Sequence, residues 1–399
     1  MGRFSSLPRF LPLFPFLLGF PACESPSTES AAAPLLEVSE FTILTSDSVV
    51  SDVRDAIPGP DGGIWVLSSF EPHVVWIDST TSRPVRFGRS GAGPEELQNP
   101  WYLAAHPLGV GVYDAGARRM KVYSQAGDFV EEMRTPDPGG FVLNEFRESN
   151  HGEPLRVHRV GGGWVFETYS GQVAHSGALW SGRLLFLSDG ASTSDGASTP
   201  DTLIQYDSLR SFPLPEGPQV FATAPLWTVC GGEAVAVLNP LDSLVIRIDP
   251  RGETRKTRIP LPRNPLAQET VEPWVDRRLD LAMGQENVTM SPSDREAARE
   301  QALAQVREMV PEHEPPTKIL CDGAGRYWVQ GFSVETDLQG YGRDWTVFRG
   351  EARVASVRLP PRVFPIFIRA SSIVAVWRDE MDVERLVELE NPLAGAPSR

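Results

Sequence analysis

Residues 87–129 read FGRSGAGPEELQNPWYLAAHPLGVGVYDAGARRMKVYSQAGDF, and this stretch decides the fold class. A glycine-rich loop comes first, and three short apolar runs follow it, separated by turns at 106–109, 114–117 and 125–127. Short strands with a turn roughly every 8–12 residues are typical of antiparallel all-β structure. One such unit cannot bury both faces of its sheet, so the pattern predicts further copies along the chain.

The same stretch resembles one repeat of the NHL-like six-bladed β-propellers. Repeats of that family carry a loop ending Gly-Pro-Gly-Glu-Phe, then a Pro, a strand ending Tyr-Val-x-Asp, and a strand Val-x-Phe-Asp before a Gly turn. Comparable places are filled here by Gly93-Pro94-Glu95-Glu96-Leu97, Pro100, Val112-Tyr113-Asp114, Arg118, Val122-Tyr123 and Gly127. Glu95 stands where the family has Gly, and Leu97 where it has Phe. The resemblance implies a six-bladed β-propeller, a fold that hosts unrelated activities.

A turn followed by a short apolar strand recurs along the chain. The copies begin near Gly62, Gly109, Gly162, Gly231, Gly323 and Ser372. Intervals of 47, 53 and 49 residues fit one four-stranded blade each, whereas the intervals of 69 and 92 residues require insertions. The interval of 69 residues contains a duplicated polar loop, DGASTSDGASTP at 189–200, which cannot build a core. We therefore predict an all-β, six-bladed propeller.

The interval of 92 residues contains the helical pattern of the chain. Thr270 and Ser291 have the character of helix N-caps, and apolar residues recur at helical spacing behind each of them. We predict a helical insertion at 266–315, between blades four and five, which caps the mouth of the central channel with Trp274 and Val306 buried. The last blade shows three strands, so we also predict that residues 40–44 supply its fourth and close the ring.

Residues 1–22 have the composition of a signal peptide. Arg3 and Arg9 precede an apolar run of about ten residues, which is too short to span a bilayer. The segment ends in Ala22-Cys23, and this ending resembles a bacterial lipoprotein signal, in which the Cys becomes the lipidated N-terminus. The resemblance implies lipidation at Cys23 and a membrane-anchored protein of the cell envelope. Ordinary secretory cleavage, giving a periplasmic or secreted protein, is the alternative.

The predicted domain organisation follows from these segments. We expect a signal peptide at 1–22, a flexible tether at 23–37, a propeller at 38–391 that contains the insertion, and a disordered tail at 392–399. Cys230 and Cys321 each end an apolar run just before a turn. We expect two buried free thiols, because equivalent positions on neighbouring blades need not come within bonding range. A disulfide is the alternative in an exported protein.

The charge balance limits the class of partner. The chain has 37 Lys and Arg against 52 Asp and Glu, a formal net charge of −15 at pH 7. Two of the basic residues lie in the signal peptide, so the mature chain keeps 35 basic against 52 acidic residues, or −17. Nucleic acids require a basic surface, so we expect no nucleic-acid partner, and broad attraction to anionic lipid is not expected either. Contact with the membrane is expected through the N-terminal lipid.

The face that carries the long loops is the expected working surface. In a propeller, the loop between the second and third strands and the loop between consecutive blades lie on the same face. This loop-rich face collects residues 68–73, 88–100, 114–118, 171–180, 239–242, 331–343 and 378–383. Function concentrates where loops gather on a rigid frame. We predict ligand binding by His73, Asp114, Arg118, Tyr341, Arg343, Arg378, Asp379 and Glu380, and Asp242, Glu335 and Asp337 lie on the same face.

Local motifs for catalysis and metal binding are missing from the sequence. The six His show neither His-x-His nor His-Glu-x-x-His spacing, and there is no Gly-x-Ser-x-Gly or P-loop pattern. We therefore predict no catalytic residue, no metal ligand and no cofactor. The predicted function is a binding or scaffold module for a protein, peptide or glycan. The alternative is a lactonase-like hydrolase or lyase with a metal in the central channel, held by side chains from distant blades.

Overall fold

A computed structural model describes most of the chain after residue 32. The described residues are 33–45, 52–79, 84–134, 156–174, 177–188, 201–211, 225–240, 242–261, 271–273, 275–276, 279–280, 291–309, 316–332, 341–381 and 383–395. Several expectations concern residues outside these ranges, namely the signal peptide, Cys23, the duplicated loop 189–200, Trp274, Glu335 and Asp337. The expectations for the side chains of Tyr341 and Val306 also lie outside the described part of the chain.

Two short strands precede the first blade, β1 (Leu35–Glu37) and β2 (Thr42–Ile43). Blade 1 contains β3 (Val53–Pro58), β4 (Ile64–Ser68), β5 (Val74–Ile77) and β6 (Val85–Phe87). Blade 2 contains β7 (Pro100–His106), β8 (Gly109–Asp114), β9 (Arg119–Tyr123) and β10 (Phe129–Arg134). Blade 3 contains β11 (Arg156–Val160), β12 (Gly163–Ala174), β13 (Gly177–Ser188) and β14 (Asp201–Ser211).

Blade 4 contains β15 (Leu226–Cys230), β16 (Ala234–Asn239), β17 (Leu244–Ile248) and β18 (Thr254–Arg258). Helix α1 (Pro292–Met309) follows it. Blade 5 contains β19 (Lys318–Cys321), β20 (Tyr327–Phe332), β21 (Tyr341–Arg349) and β22 (Ala352–Arg358). Blade 6 contains β23 (Val363–Ile368), β24 (Ser372–Arg378) and β25 (Glu384–Glu390).

The six sheets form the six-bladed propeller that the sequence predicted. Within each blade the strands pair antiparallel in chain order, so the first strand and the last strand lie at opposite edges of the sheet. The first strands contact one another from blade to blade, namely β3 with β7, β7 with β11, β15 with β19, β19 with β23, and β23 with β3. The first strand of each blade is therefore its innermost strand.

The blades are held together by the side chains between them. In the described part of the chain, a cluster of buried apolar side chains lies between each pair of neighbouring blades. Trp65 joins blades 1 and 2, and Trp328 and Trp345 join blades 5 and 6. Each sheet thus buries both faces against its neighbours, which is the condition that a single repeat could not meet.

The chain closes the ring as predicted. β2 pairs antiparallel with β25, with Thr42 opposite Glu388, and the N–H of Leu44 donates to the carbonyl of Leu386 at 2.9 Å. β1 was not expected, because residues 23–37 were assigned to the tether. Leu35–Glu37 instead pairs parallel with β22 of blade 5 and covers an edge that would otherwise carry unpaired backbone groups.

Three other boundaries differ from the expectation. Residues 171–180 were expected as a loop, but β12 and β13 continue their pairing as far as Ala174 and Gly177. Tyr341 and Arg343 likewise lie in β21 and not in a loop. Residue 393 was assigned to the disordered tail, but Leu393 packs on the core between blades 5 and 6 and its carbonyl accepts from Arg326 Nη1 at 2.9 Å.

The helical insertion lies between blades 4 and 5, as predicted. The N–H of Asp294 donates to Ser291 Oγ at 3.2 Å, so Ser291 caps α1. Helical residues at 271–273, 275–276 and 279–280 precede α1, and Arg299 joins the two parts through Asp276 at 2.6 Å. No described residue of the insertion lines the channel. The helices in the described ranges include none with the length and apolar character needed to cross a membrane.

The two cysteines of the propeller form a disulfide, so the expectation of free thiols is wrong. Cys230 and Cys321 are joined by an S–S bond of 2.17 Å, with their Cα atoms 5.1 Å apart. Cys230 ends β15 and Cys321 ends β19, the innermost strands of blades 4 and 5. Innermost strands of adjacent blades converge towards the axis, so equivalent positions come within the usual Cα separation of a disulfide.

Candidate functional site

A cavity of about 960 Å³ lies on the axis of the propeller. Its walls are the innermost strands of all six blades, together with the turns that follow β15, β19 and β23. This cavity is called the central channel below. Its volume is at the upper end of the range common for small-molecule sites, which is roughly 300–1,000 Å³.

The walls of the channel carry more positive than negative charge. The basic residues among those that line it are Arg54, His158, Arg159, Lys318, Arg369 and Arg378. The acidic ones are Asp55, Asp322 and Glu384. Among the described residues of the wall, five permanent cations face three carboxylates, in a chain whose net charge is −15. The balance of the channel is opposite in sign to that of the whole molecule.

The three carboxylates are engaged by the framework. Asp322 is completely buried and accepts from the N–H groups of Ala324 and Arg326 at 2.9 Å, and from Arg326 Nε at 2.5 Å. Asp55 accepts from the N–H of Leu103 in blade 2 at 2.8 Å. Glu384 accepts from the N–H of Val53 at 2.5 Å, which joins blades 6 and 1. These bonds give the three carboxylates structural roles within and between the blades.

Arg54 lies at the channel mouth on the loop-rich face. Its Nε donates to Ser69 Oγ at 2.6 Å, and its Nη1 donates to Asn99 Oδ1 at 3.2 Å and to the carbonyl of Pro100 at 2.8 Å. The guanidinium also lies over the ring of Trp101, 5.9 Å from its centroid. Within the described chain these partners are all neutral, and Nη2 has no acceptor. Arg54 is thus a fixed cation with a pair of N–H donors available.

Two further cations lie at the same mouth. Lys318 begins β19 and donates from Nζ to the carbonyl of Pro365 in blade 6 at 2.6 Å. Arg378 lies over the ring of Phe364, 5.4 Å from its centroid, and its Nη2 is 2.8 Å from Glu384 Oε1. Contacts that hold these cationic side chains in place include a carbonyl for Lys318, and an aromatic ring and a carboxylate for Arg378.

The other mouth carries Arg159 and Arg369. Arg159 lies over Trp164 at 5.2 Å, and Arg369 lies over Phe367 at 5.3 Å. Arg369 Nη2 donates to the carbonyl of Gly63 at 2.9 Å. Burial lowers the pKa of Arg369, and Glu388, 3.5 Å from it, opposes that change. An arginine remains charged at any physiological pH, so this mouth also presents positive charge.

One of the residues predicted to bind a ligand lines the channel, namely Arg378. Two others have partners within the framework. His73 is buried, with Nδ1 3.2 Å from the carbonyl of Ser68 and Nε2 2.9 Å from Ser90 Oγ. Asp114 is completely buried and accepts from the N–H groups of Gln98 and Asn99 at 3.0 and 2.8 Å.

The remaining predicted residues lie in strands or turns around the channel. Arg118 occupies a turn with φ of 54°, and Arg343 donates from Nε to the carbonyl of Leu359 at 2.8 Å. Asp379 accepts from the N–H groups of Met381 and Val383, and the Val383 bond contributes most to the lowering of the Asp379 pKa. Glu380 is exposed, and Tyr341 begins β21. Ligand binding by these residues stays a prediction.

Sequence reasoning missed Arg54, Arg159, Lys318 and Arg369. It searched the loops, whereas these residues lie on the innermost strands or directly after one of them. The usable signal was a basic side chain in the first strand of a repeat, where apolar residues are expected. A described group of three or more His, Cys, Asp or Glu side chains that could hold a metal ion is not found.

Comparisons with known proteins give weak likenesses to solved structures. No family model matches the chain, and no curated protein matches it. An inactive virginiamycin B lyase from Staphylococcus aureus, solved with quinupristin, is 10% identical, with a TM-score of 0.44 over 88% of this chain and 99% of that one.

Two further solved structures show the same level of likeness. A member of the duf4221 family from Bacteroides vulgatus is 8% identical, with a TM-score of 0.46 over 89% of this chain and 95% of that one. The PQQ-bound aldose sugar dehydrogenase from Streptomyces coelicolor is 14% identical, with a TM-score of 0.38 over 88% of this chain and 98% of that one. The fold assignment rests on the six sheets of the chain itself, and the activities named for these proteins are their own.

Proposed function

We propose that the protein is an exported, lipid-anchored binding protein with an NHL-like propeller, and that its central channel binds an anionic ligand. The observation that carries the proposal is the charge of the channel wall. In the part of the chain that the structure describes, five cationic side chains from four blades face the cavity, although acidic residues outnumber basic ones in the whole sequence. The three carboxylates of the described wall reduce this positive charge, but they are fewer than the cations.

The chemistry of the wall favours a ligand that has a carboxylate on an apolar body. An arginine N–H donates a charge-assisted hydrogen bond to a carboxylate, and the Nη2 of Arg54 is available to do so because its Nε and Nη1 already have acceptors. Ile366 and Phe367 of β23 and Trp227 of β15 add apolar surface to the same cavity. Acidic peptides and acidic glycans both combine these properties, and they belong to the ligand classes that the sequence suggested.

Export is supported by the disulfide and by the pattern of the N-terminus. Disulfides persist in oxidising compartments and are rare in the cytosol, so the Cys230–Cys321 bond fits a protein of the cell envelope. The apolar run before Cys23 fits a lipoprotein signal. Mass spectrometry of the mature N-terminus tests the anchor, because a lipidated Cys23 adds acyl chains to the first peptide.

The binding proposal is tested by titration calorimetry with matched pairs of ligands. Oligogalacturonate is compared with its methyl ester, and a Glu-containing peptide with its Gln counterpart. We expect at least one acid to bind and its neutral partner not to bind. The double variant Arg54→Gln, Lys318→Met should bind about a hundredfold or more weakly, since each charge-assisted hydrogen bond contributes about 1.5–3 kcal/mol.

The control variant removes two exposed cations outside the channel, Arg86→Met and Arg353→Met, and should bind as the wild type does. Equal binding of acid and neutral ligands, or equal affinities of the channel and control variants, would contradict the proposal. Cleavage of a bound ligand that depends on an added divalent metal would instead support the lactonase-like alternative.

A further inference from the structure

The outer edge of blade 4 carries a group of basic side chains. Residues 244–258 form β17, a turn and β18, and they contain five basic residues against two acidic ones. The basic residues are Arg247, Arg251, Arg255, Lys256 and Arg258, called the basic edge below. All of these are exposed except Arg247, which is half-buried. The chain as a whole is acidic, so this is a local reversal of charge.

The cations of the basic edge have no carboxylate partner among the described residues. Arg247 and Arg255 lie directly opposite each other in the antiparallel pair of β17 and β18. Like charges in that position are destabilising, because the side chains lie on the same face only about 5 Å apart at their Cβ atoms. Asp249 and Glu253 lie in the turn between the two strands and offset part of this repulsion, and an external anion held between the two guanidinium groups would offset more of it.

The Arg247–Arg255 pair faces blade 5. Burial raises the pKa of Tyr327 in β20, and the charges of Arg247 and Arg255 lower it in part, so both lie near this residue. Blades 4 and 5 are adjacent, since the Cys230–Cys321 bond and a shared apolar cluster join them. The pair is therefore on the side of blade 4 that is turned towards the blade carrying β1.

An alternative explanation for charged residues on an edge strand is that they prevent pairing with the strands of other chains. The other uncovered edges do not show the same composition. β6 holds one basic residue, Arg86, and β10 holds Glu131 and Glu132 with one arginine. Prevention of pairing requires a charge of either sign, so it does not account for an edge with three cations in five residues and no acid.

The N-terminal segment connects the expected lipid to the blade beside the basic edge. β1 pairs with β22, the outer strand of blade 5, so the chain that leads back to Cys23 leaves from the blade beside the basic edge. Twelve residues separate Cys23 from Leu35, and a chain of that length reaches at most about 43 Å. A lipid on Cys23 would hold the bilayer within that distance of blade 5.

We infer that the basic edge of blade 4 contacts the anionic headgroups of the membrane and sets the orientation of the propeller on it. The orientation rests on the proposed anchor, whereas the attraction of the edge to anionic lipid does not. A guanidinium pair suits a phosphodiester, and basic residues next to a membrane add to the binding from a lipid chain. The expectation of no broad attraction to anionic lipid came from the net charge of the whole chain. Net charge does not describe the local charge of one edge of one blade.

The test is hydrogen–deuterium exchange of the mature protein, purified from cells and placed on vesicles. Vesicles of phosphatidylcholine alone are compared with vesicles that also contain phosphatidylglycerol. We expect slower exchange in peptides covering 244–258 only on the anionic vesicles, and loss of that protection at high salt because exposed charges are then screened. The double variant Arg255→Gln, Lys256→Gln should lose the protection.

The matched control is Arg86→Gln, Arg89→Gln, which removes two cations from blade 1 on the opposite side of the ring and should keep the protection. If the mature N-terminus carries no acyl chain, co-sedimentation replaces reconstitution, and the basic-edge variant should bind anionic vesicles about thirtyfold more weakly. In that case the proposed lipid anchor at Cys23 is wrong, and the binding of the basic edge to anionic lipid is still tested.

Three results would overturn the inference. The first is equal exchange on neutral and anionic vesicles. The second is protection that survives in the basic-edge variant. The third is the same protection from inorganic phosphate in solution, which would assign the edge to a soluble anion.

Discussion

Lys121 in blade 2 shows what the glycine-rich motif does. The side chain is 2% exposed, and its Nζ donates to the carbonyl of Gly93 at 3.2 Å and to that of Glu96. Asp114 lies 3.6 Å from the same nitrogen and is completely buried. Gly91 has φ of 157°, which other residues rarely adopt, and its backbone approaches Glu96 closely where the loop folds back over Lys121. The motif therefore serves the framework.

Replacement of Lys121 tests this role. Lys121→Met leaves the Asp114 carboxylate buried without its cation, so the free energy of unfolding should fall by about 3–5 kcal/mol. Denaturant titration followed by tryptophan fluorescence measures it. Lys256→Met, at an exposed lysine of β18, should change stability by less than about 0.5 kcal/mol. A similar small change for both variants would mean that Lys121 is not held as described.

The sequence predicted the motif and its turns but not the burial of Lys121. Charged side chains in strands are usually exposed, and the alternation of side chains from Met120 to Tyr123 gave no reason to expect that Lys121 is buried. Burial depends on carbonyls that lie 25 and 28 residues earlier in the chain. Pairwise contacts at that separation are not visible in a local pattern.

At the scale of elements, the disulfide joins the two blades that the helical insertion separates. Cys230 and Cys321 are 91 residues apart in sequence, and α1 lies between them. The insertion lengthens the connection between β18 and β19, which raises the entropy that must be lost when blades 4 and 5 meet. A cross-link between Cys230 and Cys321 lowers the conformational entropy of the unfolded chain, so less entropy is lost on folding.

Removal of the disulfide should therefore be costly. The double variant Cys230→Ala, Cys321→Ala is expected to lose about 4 kcal/mol of stability, because a closed loop of roughly 90 residues has that entropic value. Differential scanning calorimetry of the variant and of the reduced wild type should give the same lowered transition. Unchanged melting of both forms would contradict the bond.

Elements defined by local patterns were predicted well, and elements defined by distant partners were not. Ser291 was identified as the cap of α1 from its own neighbourhood, and residues 40–44 from the missing strand of the last blade. β1 was taken for tether, because its partner Ser356 lies more than three hundred residues later. The disulfide was missed for the same reason, since convergence of innermost strands is a property of the closed ring.

The whole molecule combines an acidic surface with a cationic channel and a cationic edge. The number of blades followed from the repeat, because each repeat leaves its own signal. The lining of the channel did not, because its charge is assembled from single residues of blades 1, 3, 5 and 6. Candidate residues were sought in loops, and of the predicted residues whose side chains the structure describes, Arg378 lines the cavity. Ligand binding in the channel depends on which side chains of the blades line it.

The most direct test of the channel is the position of a bound anion. Crystals soaked with para-bromobenzoate, a carboxylate on an apolar ring, locate the bromine by its anomalous scattering. In the wild type we expect a bromine peak inside the central channel, with the carboxylate about 3 Å from Arg54 or Lys318. In the Arg54→Gln, Lys318→Met variant we expect no peak there. Bromine peaks confined to the outer surface of the blades, with the channel empty in the wild type, would contradict the binding proposal.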